Sequence, residues 1–128
     1  MVLDDKTREG REYSLLITDT RLPDNPIVYV NQAFLSLTGY GLDEVLGRNC
    51  RFLQGPETDP ASIRALSEAI HRGDEVGIDI LNYRKDASPF WNRLRVRPMH
   101  DDDGEIVNYI GLQIPITADQ IPPFVAEA

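Results

Sequence analysis

The period of the apolar positions changes twice along the chain, from strand to helix and back to strand. Residues 12–18, EYSLLIT, and 27–30, IVYV, are apolar and β-branched runs that predict two strands. Between them DTRLPDNP, with Pro23, Asp24, Asn25 and Pro26, predicts a turn. Asn31 caps a helix over 32–38 that Gly39 ends. A short helix is predicted over LDEVL, 42–46, and a further helical turn from Cys50 to Leu53 with Asn49 at its N-cap. Asp59-Pro60 is an N-cap followed by proline at the first helical position; Ile63, Leu66 and Ile70 follow at helical spacing, and Gly73 closes that helix. From Val76 the period is two. Val76, Ile78 and Ile80 alternate with Gly77 and Asp79. In PFWNRLRVRP, 89–98, Phe90, Leu94 and Val96 take one face while Trp91, Arg93, Arg95 and Arg97 take the other. DDDGE, 101–105, predicts a hairpin turn centred on Asp103-Gly104, and IVNYIGLQIPI, 106–116, the last strand. This order predicts an α+β domain, an antiparallel sheet with helices on one face. It runs over 13–117, with a polar leader or cap at 1–12 and a short tail at 118–128.

Exceptions to the pattern carry the chemistry. Asn92 shares a strand face with Phe90, Leu94 and Val96, and Asn82 shares one with Ile78 and Ile80. Gln113 is in phase with Val107, Tyr109 and Gly111, and a glycine in mid-strand lets something flat approach the backbone. An amide on a buried face without partners costs about 1–3 kcal/mol per unmade hydrogen bond. Three amides, each offering donor and acceptor, suit a ring edge of alternating carbonyls and N–H groups. They equally suit a polar core whose members bond one another or water, and the residues alone leave both readings open.

The only cysteine, Cys50, lies in GRNCRFLQG, 47–55. A lone cysteine usually packs as a small hydrophobe. Here the neighbours Arg48, Asn49 and Arg51 are polar, and the position opens a helical turn whose dipole favours a thiolate. Helical spacing puts Cys50 and Gln54 on one side, with Leu53 beside them, and turns Arg51 toward the rim, where a guanidinium could hold a phosphate. Arg48 reads as a solvated surface charge.

These residues bring the chain to a known pattern. GRNCRFLQGPETDP, together with ITDTRLPDNPIVYVNQAF, LNYRKD, FWNRL and YIGLQ, in that order and spacing, resembles the light-oxygen-voltage (LOV) branch of the PAS domains, the flavin-binding blue-light sensors. The resemblance spans roughly 13–117. It implies a PAS fold with a five-stranded antiparallel sheet. It also implies a blue-light photoreceptor that holds flavin mononucleotide (FMN) non-covalently, with riboflavin or FAD as the alternative flavins. In such proteins the cysteine matching Cys50 sits over the flavin ring and forms an adduct with it under blue light that breaks in the dark. The resemblance assigns Asn82 and Asn92 to the polar edge of the ring, and Asn49 and Gln54 to the ring edge and ribityl chain. It gives Arg51 to the phosphate and Gln113 to the reactive ring nitrogen, with reorientation of Gln113 as the signal. Leu16, Thr18, Asn25, Leu53, Phe90, Leu94 and Gly111 match pocket-lining positions. Two residues depart from the pattern. Ser67 stands where a second phosphate arginine is frequent, with Arg64 one turn earlier as the candidate substitute. Ala87 stands in place of a turn glycine, which implies a different hairpin turn.

Composition narrows the rivals. A net charge of −8 over 128 residues argues against unaided binding to nucleic acid or to an anionic membrane, both of which need a basic face. Apolar runs of four or five residues are too short to span a bilayer, the first residues are too charged for a signal peptide, and one cysteine excludes an internal disulfide. These features imply a cytoplasmic protein. A cysteine-nucleophile enzyme would need a base, and neither His71 nor His100 adjoins Cys50; a metal site is poorer still. The chain is therefore expected not to be an enzyme. The remaining alternative is a PAS-type module that binds another ligand or a protein without photochemistry. If Gln113 faces the flavin, Ile110, Leu112, Ile114 and Ile116 face outward as an exposed apolar stripe. That stripe implies a homodimer through the outer sheet face, unless the leader and tail cover it, or a separate signalling partner. With twelve residues after Ile116 and Pro122-Pro123 among them, no output domain is expected within this sequence, which would make the chain either a stand-alone receptor or a piece of a longer one.

Overall fold

A computed structural model of the chain describes residues 13–121. The expected leader at 1–12 and most of the expected tail lie outside them. The strands are β1 (Ser14–Asp19), β2 (Ile27–Val30), β3 (Val76–Tyr83), β4 (Pro89–His100) and β5 (Ile106–Ile116), all paired antiparallel in the order β2-β1-β5-β4-β3. The helices are α1 (Gln32–Thr38), α2 (Leu42–Val45) and α3 (Pro60–Arg72), with a 3₁₀ turn at Cys50–Leu53 and a second at Ala118–Gln120. The α+β fold and the five-stranded sheet follow the expected element order.

The helix boundaries sit where the local chemistry puts them. Asn31 Oδ1 accepts from Phe34 N at 3.1 Å, and Asp59 Oδ1 accepts from Ala61 N at 2.9 Å. Gly39 and Gly73 close α1 and α3 with φ of 79° and 78°.

Two apolar clusters form on the helix side of the sheet. One gathers Leu16, Ile27, Val30, Phe34, Val45 and Leu53, with Cys50 and Phe52 against it. The other gathers Leu66, Ile80, Val96 and Tyr109, with Ile63, Ile70 and Leu94 against it. They are separate clusters, so the apolar interior is divided beneath the sheet rather than continuous.

Three expectations are corrected. The β4–β5 turn is centred on Asp102-Asp103, one residue earlier than expected. Gly104 N donates to the Asp101 carbonyl at 3.0 Å, and Gly104, with φ 83°, follows the turn as a left-handed residue. The outward stripe is not an exposed patch: Ile110 is buried, and Leu112, Ile114 and Ile116 are half-buried. Their partners on β4 are Arg97, Arg95, Arg93 and Trp91, large side chains whose apolar surfaces and arginine stems lie beside them on the same face.

Ala87 does not change its hairpin. It takes φ 73°, the conformation a glycine would hold, and its N–H donates to the Arg84 carbonyl at 2.9 Å. The pairing of Tyr83 with Pro89 fixes the loop length, so the alanine adopts the left-handed geometry at a cost of about 1–2 kcal/mol. Glycine there would relieve this while adding about 0.4–1 kcal/mol of unfolded-chain entropy. Ala87→Gly is therefore expected to raise the melting temperature by about 2–5 °C. A thermal melt checks it; an unchanged or lower midpoint would show that the strain is not there.

Candidate functional site

The loop carrying Cys50 is tied to the sheet by backbone bonds. Ile27 N donates to the Arg48 carbonyl at 2.8 Å, and Gly47 N donates to the Ile27 carbonyl at 2.9 Å. Asn49 then caps the 3₁₀ turn, its Oδ1 accepting from Arg51 N at 3.0 Å, and its Nδ2 donates to the Asp24 carbonyl at 2.8 Å. Arg48 is exposed and stacks over the Phe52 ring, 4.2 Å from its centroid.

A cavity of about 690 Å³ opens against this turn. The structure brings together there Asn25, Asn49, Cys50, Arg51 and Gln54, and α3 closes it with Ile63, Leu66, Ser67 and Ile70. Arg64 is exposed and is not among the lining residues, although Glu68 and His71, one and two turns further along the same helix face, are. Arg51 is exposed at the rim and pairs with Asp24.

Of the other predicted residues, Leu53 ends the 3₁₀ turn and the rest lie on the inner face of the sheet. Leu16 and Leu53 belong to the first apolar cluster, Leu94 packs on the second, and Phe90 is buried. Thr18, Asn82, Asn92 and Gln113 are all buried, at 1–4% exposure. Asn92 Nδ2 donates to Asn82 Oδ1 at 2.9 Å, and Ser14 Oγ donates to Gln113 Oε1 at 2.6 Å. A Cβ at Gly111 would sit 3.3 Å from Leu16 Cγ and 3.4 Å from Gln113 Nε2, so the glycine keeps space around the Gln113 amide.

Half of each reading of the amides is therefore present. The amides do bond protein partners, yet four buried polar atoms have none among the described residues: Thr18 Oγ1, Asn25 Oδ1, Asn92 Oδ1 and Gln113 Nε2. At about 1–3 kcal/mol each, they would together take a sum comparable to the whole stability of a domain, about 5–15 kcal/mol. Two are acceptors, one is a donor and one is a hydroxyl, a set that matches a polar ligand with both kinds of group. The residues present fit a flavin.

The thiol differs from expectation. Burial pushes the Cys50 thiol up from its ordinary pKa, outweighing the backbone contact and the Arg51 charge that act the other way. The 3₁₀ turn does not make it a thiolate, because the apolar cluster around Phe52 and Leu53 disfavours the charged form more than the turn favours it. Among the described residues no group of three or more His, Cys, Asp or Glu is placed to hold a metal ion, and no helix is long and apolar enough to cross a membrane.

Sequence reasoning missed Ser14 and Asp24. Ser14 lies directly across from Gln113 in the β1–β5 register, and Asp24 meets Arg51 across 27 residues of chain. The Ser14 partnership was available only through strand pairing.

Comparison with known proteins extends the picture. A family model described as a PAS domain matches residues 12–118. The "Blue-light-activated histidine kinase" of Brucella canis is 49% identical over 118 residues, which is 90% of this chain and 24% of that protein. The chain thus spans about a quarter of the length of the curated relatives it matches. The light-state structure of the Aureochrome1 LOV blue-light photoreceptor superposes with a TM-score of 0.82 at 52% identity, covering 83% of each chain. A structure described as a flavin analogue shedding light on LOV domain mechanism superposes at 0.86 with 49% identity, over 90% of this chain and 85% of that one. The expectation of a non-enzyme is overturned by these findings: the curated relatives are named as kinases, which are enzymes, and this chain corresponds to one stretch of them. With a matching fold, a matching family model and LOV relatives at about half identity, the chain belongs to the PAS domain family, in its light-oxygen-voltage branch.

Proposed function

We propose that this chain is a blue-light sensor that holds FMN in the space between the Cys50 turn, α3 and the inner face of the sheet. What supports the reading is the set of four unpartnered buried polar atoms, one of them on Asn25, which lines the same cavity as the half-buried Cys50. When bound, the flavin supplies blue-light absorption and a ring carbon that a thiol can attack. Asn82 and Asn92, held to each other, present Asn92 Oδ1 as an acceptor for a ring N–H. Gln113, with its carbonyl oxygen engaged by Ser14, presents Nε2 as a donor. Asn25 and Asn49 with Gln54 serve the ribityl side, and Arg51 the phosphate. Cys50 keeps its proton on Sγ in the dark, because burial disfavours the thiolate.

Signal output is part of the same proposal. Gln113 sits on β5, whose opposite face carries Ile110, Leu112 and Ile114, so a turn of its amide is felt one residue away on the outer face. That face would dock a second copy of the chain or an effector such as the kinase portion of the relatives. The test of the sensor reading is one absorption spectrum before and after blue light. A yellow protein that bleaches and recovers in the dark supports it, and a colourless protein that takes up no added flavin would sink it.

A further inference from the structure

We infer that Asp24 is a specificity-determining residue that competes with the ligand's phosphate for Arg51, and so lowers the preference of the site for FMN over riboflavin. The inference rests on the flavin reading above. Asp24 and Arg51 line the same cavity and form an ion pair through Asp24 Oδ2 and Arg51 Nη2. Both side chains are 60% exposed, at the rim rather than in the interior. Asp24 is held there by its backbone: it takes φ 67°, a left-handed conformation that Asp tolerates, and its carbonyl is fixed by Asn49 Nδ2 at 2.8 Å.

Anything anionic that reaches Arg51 therefore meets a carboxylate already on the guanidinium. It must share the fork with Asp24 or displace it, and in either case it feels a like charge close by. An exposed pair of this kind is weak, so a phosphate can win, but at a reduced margin. Among the described residues, the rest of the rim lining brings one histidine, His71, and no unpaired arginine to offset this. Arg72, the other arginine lining the cavity, pairs with Asp74 at 2.9 Å, Glu68 adds a second carboxylate, and Ser67 brings no charge. The ring end of the site is blind to these charges, since its contacts are amides, a hydroxyl and apolar side chains. Asp24 thus acts on the phosphate alone.

The test is fluorescence titration of the refolded or flavin-stripped chain with FMN and with riboflavin, for the wild type and for Asp24→Asn. Asparagine keeps the backbone conformation and the carbonyl that Asn49 holds, so riboflavin affinity is expected to stay within about twofold. FMN affinity is expected to rise about five- to tenfold, from the removal of one charge near a phosphate in a screened setting. In an Arg51→Gln background the gain from Asp24→Asn should shrink. An unchanged ratio of FMN to riboflavin affinity, with riboflavin still bound, overturns the role of Asp24 and leaves the flavin reading intact. An equal gain in both backgrounds overturns competition for Arg51. A wild type that binds neither flavin overturns the flavin reading and this inference with it.

Discussion

Cys50→Ala is expected to keep the flavin and to lose reversible bleaching under blue light completely. The retention follows from where the binding groups are. The ring contacts proposed above are those of Asn82, Asn92 and Gln113 on β3, β4 and β5, and none of the three bonds to Cys50. The loss follows from the count of thiols, since the chain has one cysteine and no other side chain can replace it. Its removal should disturb the fold little, because Cys50 lies at the margin of the first apolar cluster rather than at its centre; about 1 kcal/mol is the ordinary cost of such a change. The raised pKa of the Cys50 thiol also makes an alkaline prediction. A pKa raised on folding gives a stability contribution that is present below the ordinary thiol range, about 8.5, and is lost as pH climbs from there through the raised value. Cys50→Ala should therefore lose less stability than the wild type over that alkaline window. Absorption spectroscopy and denaturant titration at several pH values check both statements. A variant that still bleaches and recovers would rule Cys50 out as the reactive group.

The elements of the fold were legible because each boundary carries its own short-range chemistry. Asn31 and Asp59 cap, Pro60 starts a helix, Gly39 and Gly73 stop one, and Phe90, Leu94 and Val96 alternate as a strand must. The amide set was legible for the same reason: period two places Asn82, Asn92 and Gln113 on the inner face without any knowledge of pairing. What was illegible depends on contacts between distant parts of the chain. The helical turn at Cys50 argues locally for a thiolate, and only the cluster that packs around it reverses the sign. The hairpin at Ala87 argues locally against a left-handed residue, and only the pairing of β3 with β4 forces one. Neighbouring sequence set Arg51 at the rim but said nothing of Asp24, which arrives from the loop before β2.

Gln113→Leu is expected to leave the Cys50 photochemistry in place and to abolish the light-dependent change in the sheet. The amide is buried at 2% exposure and has two ends with different tasks. Its oxygen accepts from Ser14 Oγ across the β1–β5 ladder, where Ser14 and Gln113 are paired in register. Its nitrogen has no partner among the described residues and lies beside the space that Gly111 keeps. A ligand group that changes from acceptor to donor would favour the amide turned over, with its oxygen toward the ligand and its nitrogen toward Ser14. Ser14 tolerates either orientation, because a hydroxyl both donates and accepts. The β1–β5 pair therefore holds a two-state element whose switch needs only one side chain. Leucine occupies a similar volume but cannot donate, accept or turn over to effect. It also strands the Ser14 hydroxyl, at about 1–3 kcal/mol of stability, and removes one bond to the ligand, which lowers flavin affinity about tenfold at most. Hydrogen exchange of β1 and β5 amides in dark and light is the measurement. The wild type should show a light-dependent difference at residues 110–114, while Gln113→Leu should bleach and recover without one; a difference of wild-type size in the variant would mean that the signal leaves the site by another route.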